Sequence, residues 1–261
     1  MITNMFRIVN RYLTQFGLDF RKTILGFKSI PFFIKDYIFF KINSDNSFPL
    51  EASYPCLSDK FDTAGKLDSH YFFQDTYVSR KIYEANPIDH LDVGSRIDGF
   101  IAQLSIFRKL TIIDIRPLDV EIVNVNFLQA DICKDDFNVR TAESVSCLHT
   151  LEHIGLGRYN DPLGTELWKL GLKNIWSLVK PGGILYLSVP IGKQKIMFNA
   201  HRVFNTKTIF CEIKNSELID FAYIGDDTTI KNGPLDINEI DILTHNFNYG
   251  LGIFTFKKNY N

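Results

Sequence analysis

The stretch His90-Leu91-Asp92-Val93-Gly94-Ser95-Arg96-Ile97-Asp98-Gly99-Phe100 decides the fold. It opens as a short apolar strand, turns at Gly94, and runs into Gly99–Phe107, which reads as a helix apolar nearly all round. The centre of the loop is unusual. Gly94 and Gly99 give G-x-x-x-x-G where a dinucleotide loop has G-x-G-x-x-G, and Arg96 and Asp98 stand where close backbone approach needs bare glycine.

Strand and helix patterns alternate outward from this loop. Residues 110–116 (LTIIDIR), 122–131 (IVNVNFLQAD) and 144–150 (SVSCLHT) read as strands two to four. Residues 165–180 form a helix with Trp168, Leu172, Ile175, Trp176 and Val179 on one face, and the turn Lys180-Pro181-Gly182-Gly183 leads into a fifth strand ending at Ile191. A helix over 205–215 precedes two late strands, 218–225 and 249–258. This order predicts an α/β, Rossmann-like, seven-stranded, mostly parallel sheet with helices on both faces and an antiparallel edge. Upstream, Tyr71, Val78, Ile82 and Ala85 share one face of a helix that Asn86-Pro87 stops. The domain therefore spans 70–261, behind an extension and loop over 1–69.

A chain of 261 residues can bury one sizeable α/β core. The net charge of −1 argues against nucleic acid as a partner. Cys56, Cys133, Cys147 and Cys211 are scattered without zinc-site spacing, which suits reduced thiols in the cytoplasm, and the N-terminus lacks the features of a secretory signal. The charge is uneven, however. Residues 1–41 carry Arg7, Arg11, Arg21, Lys22, Lys28, Lys35 and Lys41 against only Asp19 and Asp36. Lys35 and Asp36 interrupt the aromatic run 29–42 well short of the ~20 apolar residues a membrane span needs. Two readings stay open for this arm: a peripheral contact with a membrane or membrane enzyme, or aromatics that fold back onto their own domain.

In such a sheet, ligands bind beyond the carboxyl ends of the strands. Asp92, Gly94 and Gly99 follow the first strand. Asp114 ends the second, 22 residues beyond Asp92, near the offset at which a carboxylate accepts from a ribose diol. Asp131, after the third, suits an adenine amine. The plainer reading makes all three aspartates helix caps or turn formers.

The order Asp92-x-Gly94, Asp114, Asp131, SCLHTLEH, KPGG and two late strands resembles a class I S-adenosylmethionine-dependent methyltransferase over roughly residues 70–261. The runs CLSD, HYFFQD, DVGSRIDGF, SCLHTLEHIGLGRYNDP, YLSVPIGKQ and FNAHRVF resemble, more narrowly, an uncharacterised methyltransferase-like family associated with bacterial surface-polysaccharide gene clusters. The resemblance implies S-adenosylmethionine as cofactor, with Asp114 on its ribose and Asp131 near its adenine. The narrower one implies a sugar or glycan precursor as substrate. Where the wider pattern has glycines, Arg96 can meet the cofactor's carboxylate and Asp98 its ammonium. The alternative is an Arg96–Asp98 pair closed over a smaller ligand or none.

The fourth strand end is the densest chemistry, with His149, Glu152, His153, Arg158, Tyr159 and Asp161 within thirteen residues. His149–His153 matches H-x-x-E-H, but that zinc pattern needs a helix, and here it follows a strand and runs into Gly155 and Gly157. In the methyltransferase reading the cluster faces the acceptor, and His201 and Arg202 converge on it from after the fifth strand. His70 and Asp75 are candidates to close the pocket. His153 is the first choice for a general base acting on a sugar hydroxyl, His149 the second, with Glu152 orienting the ring. Arg158, Tyr159 and Asp161 are candidate substrate contacts, and Arg158 with Arg202 can hold phosphates of a nucleotide- or lipid-linked donor. The competing readings are an enzyme of the same fold using another nucleotide for sugar chemistry, and a non-catalytic protein binding a nucleotide or partner.

Overall fold

The computed structural model describes residues 2–44, 48, 50, 53–63, 67 and 69–260; the remainder of the expected 43–69 loop lies outside the described residues. The chain divides into two compact units, Met1–Leu67 and Asp68–Asn261.

The first unit is helical. Helix α1 (Ile2–Thr14) turns through Gly17, whose φ of 79° suits glycine, into the long α2 (Phe20–Asn43). Asp19 caps α2 by accepting from the Arg21 and Lys22 amides. A single 3-10 turn, Asp59–Phe61, follows, and Lys60 pairs with Asp36 at 3.4 Å. Neither helix is long and apolar enough to cross a membrane.

The second unit begins with α3 (Ser69–Ala85) and β1 (His90–Val93). A π-turn at Ile97–Ile101 then leads into α4 (Ala102–Phe107). Strands β2 (Leu110–Asp114), β3 (Val125–Gln129) and β4 (Ala142–Leu148) follow, then α5 (Leu167–Ser177) and β5 (Val179–Ile191). A small hairpin, β6 (Lys195–Met197) and β7 (His201–Val203), precedes α6 (Thr206–Glu212). The chain ends with β8 (Ser216–Ile224), β9 (Ile230–Asn232), α7 (Ile237–Thr244) and β10 (Gly250–Lys258).

The main sheet has the order β3-β2-β1-β4-β5-β10-β8-β9. The first five strands are parallel, and β10, β8 and β9 continue antiparallel. This is the expected α/β, Rossmann-like fold with its antiparallel edge, and it carries one strand more than the seven read from sequence. The extra strand is β9, whose three residues are too few to show a period-two pattern. The fifth strand also starts earlier than expected. It takes in the Lys180–Gly183 turn, where Gly182 has a φ of 77°.

Helices cover both faces. On one, Trp168, Leu172 and Ile175 of α5 pack over Val145, Leu187 and Phe254. On the other, Val78, Ile82, Phe100 and Leu104 pack over Ile112, Leu148 and Ile253. Each fully buried side chain of this size contributes roughly 1.5–3 kcal/mol, which fixes the sheet rigidly enough for its strand ends to hold a site. Strand order reverses between β1 and β4, so a crevice opens beyond their carboxyl ends.

Candidate functional site

The crevice is a largely apolar cleft. Each parallel strand from β1 to β4 contributes its end: Val93 and Gly94, then Ile113–Arg116, then Ala130–Cys133, then Leu148–Thr150. Of the residues expected at the site, Gly94, Arg96, Asp114, Asp131, His149, His153, Tyr159 and Asp161 all line it.

Asp92 does not line it. Its carboxylate is fully buried and accepts from the Ser95 amide at 3.0 Å, the Ser95 hydroxyl at 2.6 Å and the Ser146 hydroxyl. Burial pushes its pKa up to about 6. Asp92 shapes the loop from behind and offers no edge to a ligand, which corrects its expected role. A proton chain continues from it. Because Ser146 donates to Asp92, it accepts from Nε2–H of His90, and Nδ1 of His90 accepts from Ser144. Burial pushes His90 down to about 3, so it is the neutral link in this chain.

Gly99 is also corrected. A Cβ there would lie 2.3 Å from Oδ2 of Asp75, so this glycine admits the α3 carboxylate and no cofactor. Asp75 is buried, with its pKa raised by desolvation, and accepts from Nε2 of Gln74 at 3.0 Å. Gln74 in turn accepts from the Ser188 hydroxyl, and Ser188 accepts from the His149 amide. Asp75 is thus linked by hydrogen bonds to the backbone of His149, and its charge also acts on Arg96 and His149.

Arg96 and Asp98 form a two-bond pair at 3.1 and 3.0 Å, with both side chains largely exposed. Arg96 also lies over the Tyr71 ring, 4.6 Å from its centroid. The pair is closed on itself as the alternative reading had it, and Asp98 points away from the cleft, along a neighbouring groove. Asp114 is likewise engaged: its two oxygens accept from Nε and Nη2 of Arg116 at 3.0 and 2.6 Å. Asp131 accepts from the Cys133 amide at 2.8 Å.

A second group of side chains centres on Glu152, which is 1% exposed. Its Oε1 lies 2.6 Å from Nδ1 of His149 and 3.8 Å from Nε2 of His153. Desolvation works against the carboxylate, but its interactions with His149 and His153 outweigh it and hold Glu152 below the usual carboxylate range. Because Nδ1 of His149 faces the acceptor Oε1, the neutral ring carries its proton there and holds its lone pair on Nε2. That Nε2 and Oε2 of Glu152 are buried without a hydrogen-bond partner. His149 also sits at φ 52°, a strained setting for a residue with a Cβ. His153 instead donates Nδ1–H to the Ala200 carbonyl at 2.6 Å, and burial lowers its pKa. Of the two histidines, His149 is the one that Glu152 holds by a hydrogen bond.

Around this dyad stand aromatic rings that the sequence reading used only in part. His70 stacks on Tyr249 at 5.2 Å and on His149 at 5.9 Å, Tyr71 lies 4.8 Å from His149, and His201 lies 4.8 Å from Tyr249. Ser69, His70, Tyr71, His149 and Tyr249 enclose a second cleft that shares Tyr71 and His149 with the first. His201 faces this aromatic group, with its pKa lowered by burial.

Arg202 is 5% exposed and donates to the carbonyls of Glu152, Ile154 and Thr165. It fastens the loop after β4 and does not line the cleft, contrary to expectation. Asp161 has a similar task. It accepts from the amides of Gly155, Gly157 and Tyr159 at 2.8, 3.2 and 3.0 Å, so its carboxylate shapes the cleft wall. The guanidinium groups of Arg116 and Arg158 both lie over the Tyr159 ring, at 4.7 and 5.0 Å from its centroid. Arg158 donates to the Ala200 carbonyl at 2.9 Å and remains exposed. Among the described residues, no three His, Cys, Asp or Glu side chains are arranged to hold a metal ion.

Residues 120–239 match the model of a family described as a Caenorhabditis protein of unknown function, DUF268. No curated protein matches the chain. Among solved structures, the chain is similar to the N-methyltransferase NodS of Bradyrhizobium japonicum WM9 in complex with S-adenosyl-L-homocysteine. The identity is 13%, the match covers 76% of this chain and 93% of that one, and the TM-score is 0.50. An S-adenosylmethionine-dependent methyltransferase from Clostridium acetobutylicum ATCC 824 matches at 12% identity over 75% of this chain and 94% of that one, with a TM-score of 0.48. What is shared at such identities is the fold.

Proposed function

We propose that the chain is an S-adenosylmethionine-dependent methyltransferase that O-methylates a sugar or glycan precursor, of the kind used in surface-polysaccharide assembly. The observation that carries this reading is the His149–Glu152 dyad. A buried, unpartnered Nε2 stands beside a strand-end cleft that also holds Asp114 and Asp131.

The cleft suits the nucleoside half of the cofactor. Asp114 retains acceptor capacity on Oδ2 for a ribose hydroxyl, Asp131 is placed for an adenine amine, and Ile115, Ile132 and Ile154 supply apolar walls. At the amino-acid end the absent glycines are replaced by Arg96. Its pair with Asp98 is exposed and weak, so Arg96 can exchange that partner for the cofactor's carboxylate. When bound, the cofactor supplies a sulfonium methyl open to in-line displacement.

The chain's own residues do the rest. The acceptor enters the cleft formed by Ser69, His70 and Tyr249, and Tyr71 and His149 stand where the two clefts meet. Nε2 of His149 takes the hydroxyl proton as the oxygen attacks. Glu152 holds Nδ1–H and stabilises the imidazolium that forms. The burial of both side chains keeps water from competing.

Calorimetric titration with S-adenosylhomocysteine tests the reading. The intact protein binds, and Asp114→Ala weakens binding about tenfold to a hundredfold, the equivalent of roughly 1.5–3 kcal/mol for a lost charged hydrogen bond. Absence of binding by the wild-type protein overturns the cofactor.

A second reading has one observation in its favour. Arg96 and Arg116 flank a groove that adjoins Asp114, a pair of guanidinium groups suited to nucleotide phosphates. An enzyme of this fold acting on a nucleotide-linked sugar would retain that nucleotide on purification, which mass spectrometry distinguishes from S-adenosylhomocysteine.

A further inference from the structure

The proposed transfer makes no use of the helical first unit, which carries a surface of its own. In α2, Ile24, Phe27, Ile38 and Ile42 recur at helical spacing along one stripe, and they are 54%, 69%, 50% and 74% exposed. Lys28 and Lys35 fall directly beside that stripe, and both are exposed. In α1, Met5, Val9 and Tyr12 form a second exposed stripe, while Arg7 and Arg11 lie one turn apart on another side.

Within residues 1–41 seven basic residues face two acidic ones. The two acidic residues of this region are both occupied: Asp19 caps α2, and Asp36 pairs with Lys60. The basic side chains are therefore left without acidic partners from within residues 1–41. Apolar stripes edged by cations, on helices unable to cross a bilayer, are complementary to a surface that is apolar below and anionic above. A soluble protein partner would need a large acidic and apolar face to match them. A lipid surface offers both features everywhere.

We propose that α1 and α2 seat the chain on an anionic phospholipid surface, with the Ile24–Ile42 stripe at the headgroup boundary and Lys28 and Lys35 on the lipid phosphates. This stands independently of the methyltransferase reading.

Co-sedimentation of the full chain tests it, with vesicles of phosphatidylcholine alone and of equal parts phosphatidylcholine and phosphatidylglycerol. The expected result is binding to the anionic vesicles only, falling steadily as salt is raised, and falling about tenfold or more in the charge-reversed Lys28→Glu/Lys35→Glu variant. A second variant, Ile24→Ser/Phe27→Ser, should lose binding even at low salt. A chain that stays in the supernatant with both vesicles overturns the proposal, as does equal, salt-insensitive binding to both. A dimer in light scattering that Ile24→Ser/Phe27→Ser dissociates, with vesicles ignored, shows that a second copy covers this face. The salt series on the wild-type chain decides the matter even if a variant fails to fold.

Discussion

Oε1 of Glu152 lies 2.6 Å from Nδ1 of His149, and the two side chains are 1% and 3% exposed. A carboxylate and an imidazole buried together at this distance fix both the tautomer and the ring plane. His149→Ala should lower turnover on the true acceptor by ~10²–10⁴-fold, the usual worth of a general base. Affinity for S-adenosylhomocysteine should move by less than about threefold, since the base acts on the acceptor. Glu152→Gln keeps an oxygen for Nδ1–H but removes the charge that stabilises the imidazolium, so it too should lose turnover with little change in cofactor affinity. Loss of cofactor binding in His149→Ala would mean the dyad holds the ligand instead.

His153→Ala is the contrasting case. Its Nδ1–H is committed to the Ala200 carbonyl, and its Nε2 is 3.8 Å from Glu152. Turnover should fall by less than about tenfold, a loss of positioning well below the range for a base. If His153→Ala falls further than His149→Ala when both are assayed together, the roles of the two histidines are exchanged.

Gly99→Ala tests the packing that supports the dyad. The added methyl meets the Asp75 carboxylate at 2.3 Å, and such overpacking costs typically about 1–3 kcal/mol. Urea denaturation should show that loss, and Asp75→Ala in the same chain should recover part of it by making room. Additive losses in the double variant would show that the two residues do not meet.

These residues also mark how far the sequence was legible. Alternating apolar strands and amphipathic helices made the sheet readable, because periodicity is a local property. The same holds for the placing of Gly94, Asp114, Asp131 and His149 at strand ends. What could not be read is which way each side chain faces. Asp92 and Asp114 both lie at strand ends, yet one turns inward to Ser95 and Ser146 and the other lines the cleft. Arg202 looked like a phosphate ligand because its carbonyl partners, Glu152, Ile154 and Thr165, lie far away in sequence. Tyr249 reaches His70 across most of the domain, which no local pattern announces. Helix α7 did carry a local signal: Asp236 and Glu239 have capping-box spacing, and Asp236 accepts from the Asn238 and Glu239 amides.

The buried chain His90–Ser146–Asp92 makes a prediction about pH. Asp92 is held at about 6, above its unfolded value, so between roughly pH 4 and 6 the folded chain keeps a proton that the unfolded chain releases. Its contribution to stability therefore declines as pH rises through that window. His90 runs the other way. Held at about 3, it refuses a proton that the unfolded chain binds up to roughly pH 6.5, so its contribution grows as pH rises from about 3. In the wild-type chain the two slopes oppose each other between about pH 4 and 6. Asp92→Asn removes one of them, so the stability of that variant, though lower overall, should rise more steeply with pH there. The difference from wild type approaches about 1.4 kcal/mol per pH step, the slope of one proton. His90→Gln should show the opposite tilt. Urea unfolding at several pH values across the window measures all three slopes, and parallel curves for wild type and Asp92→Asn would show that Asp92 does not titrate in this range.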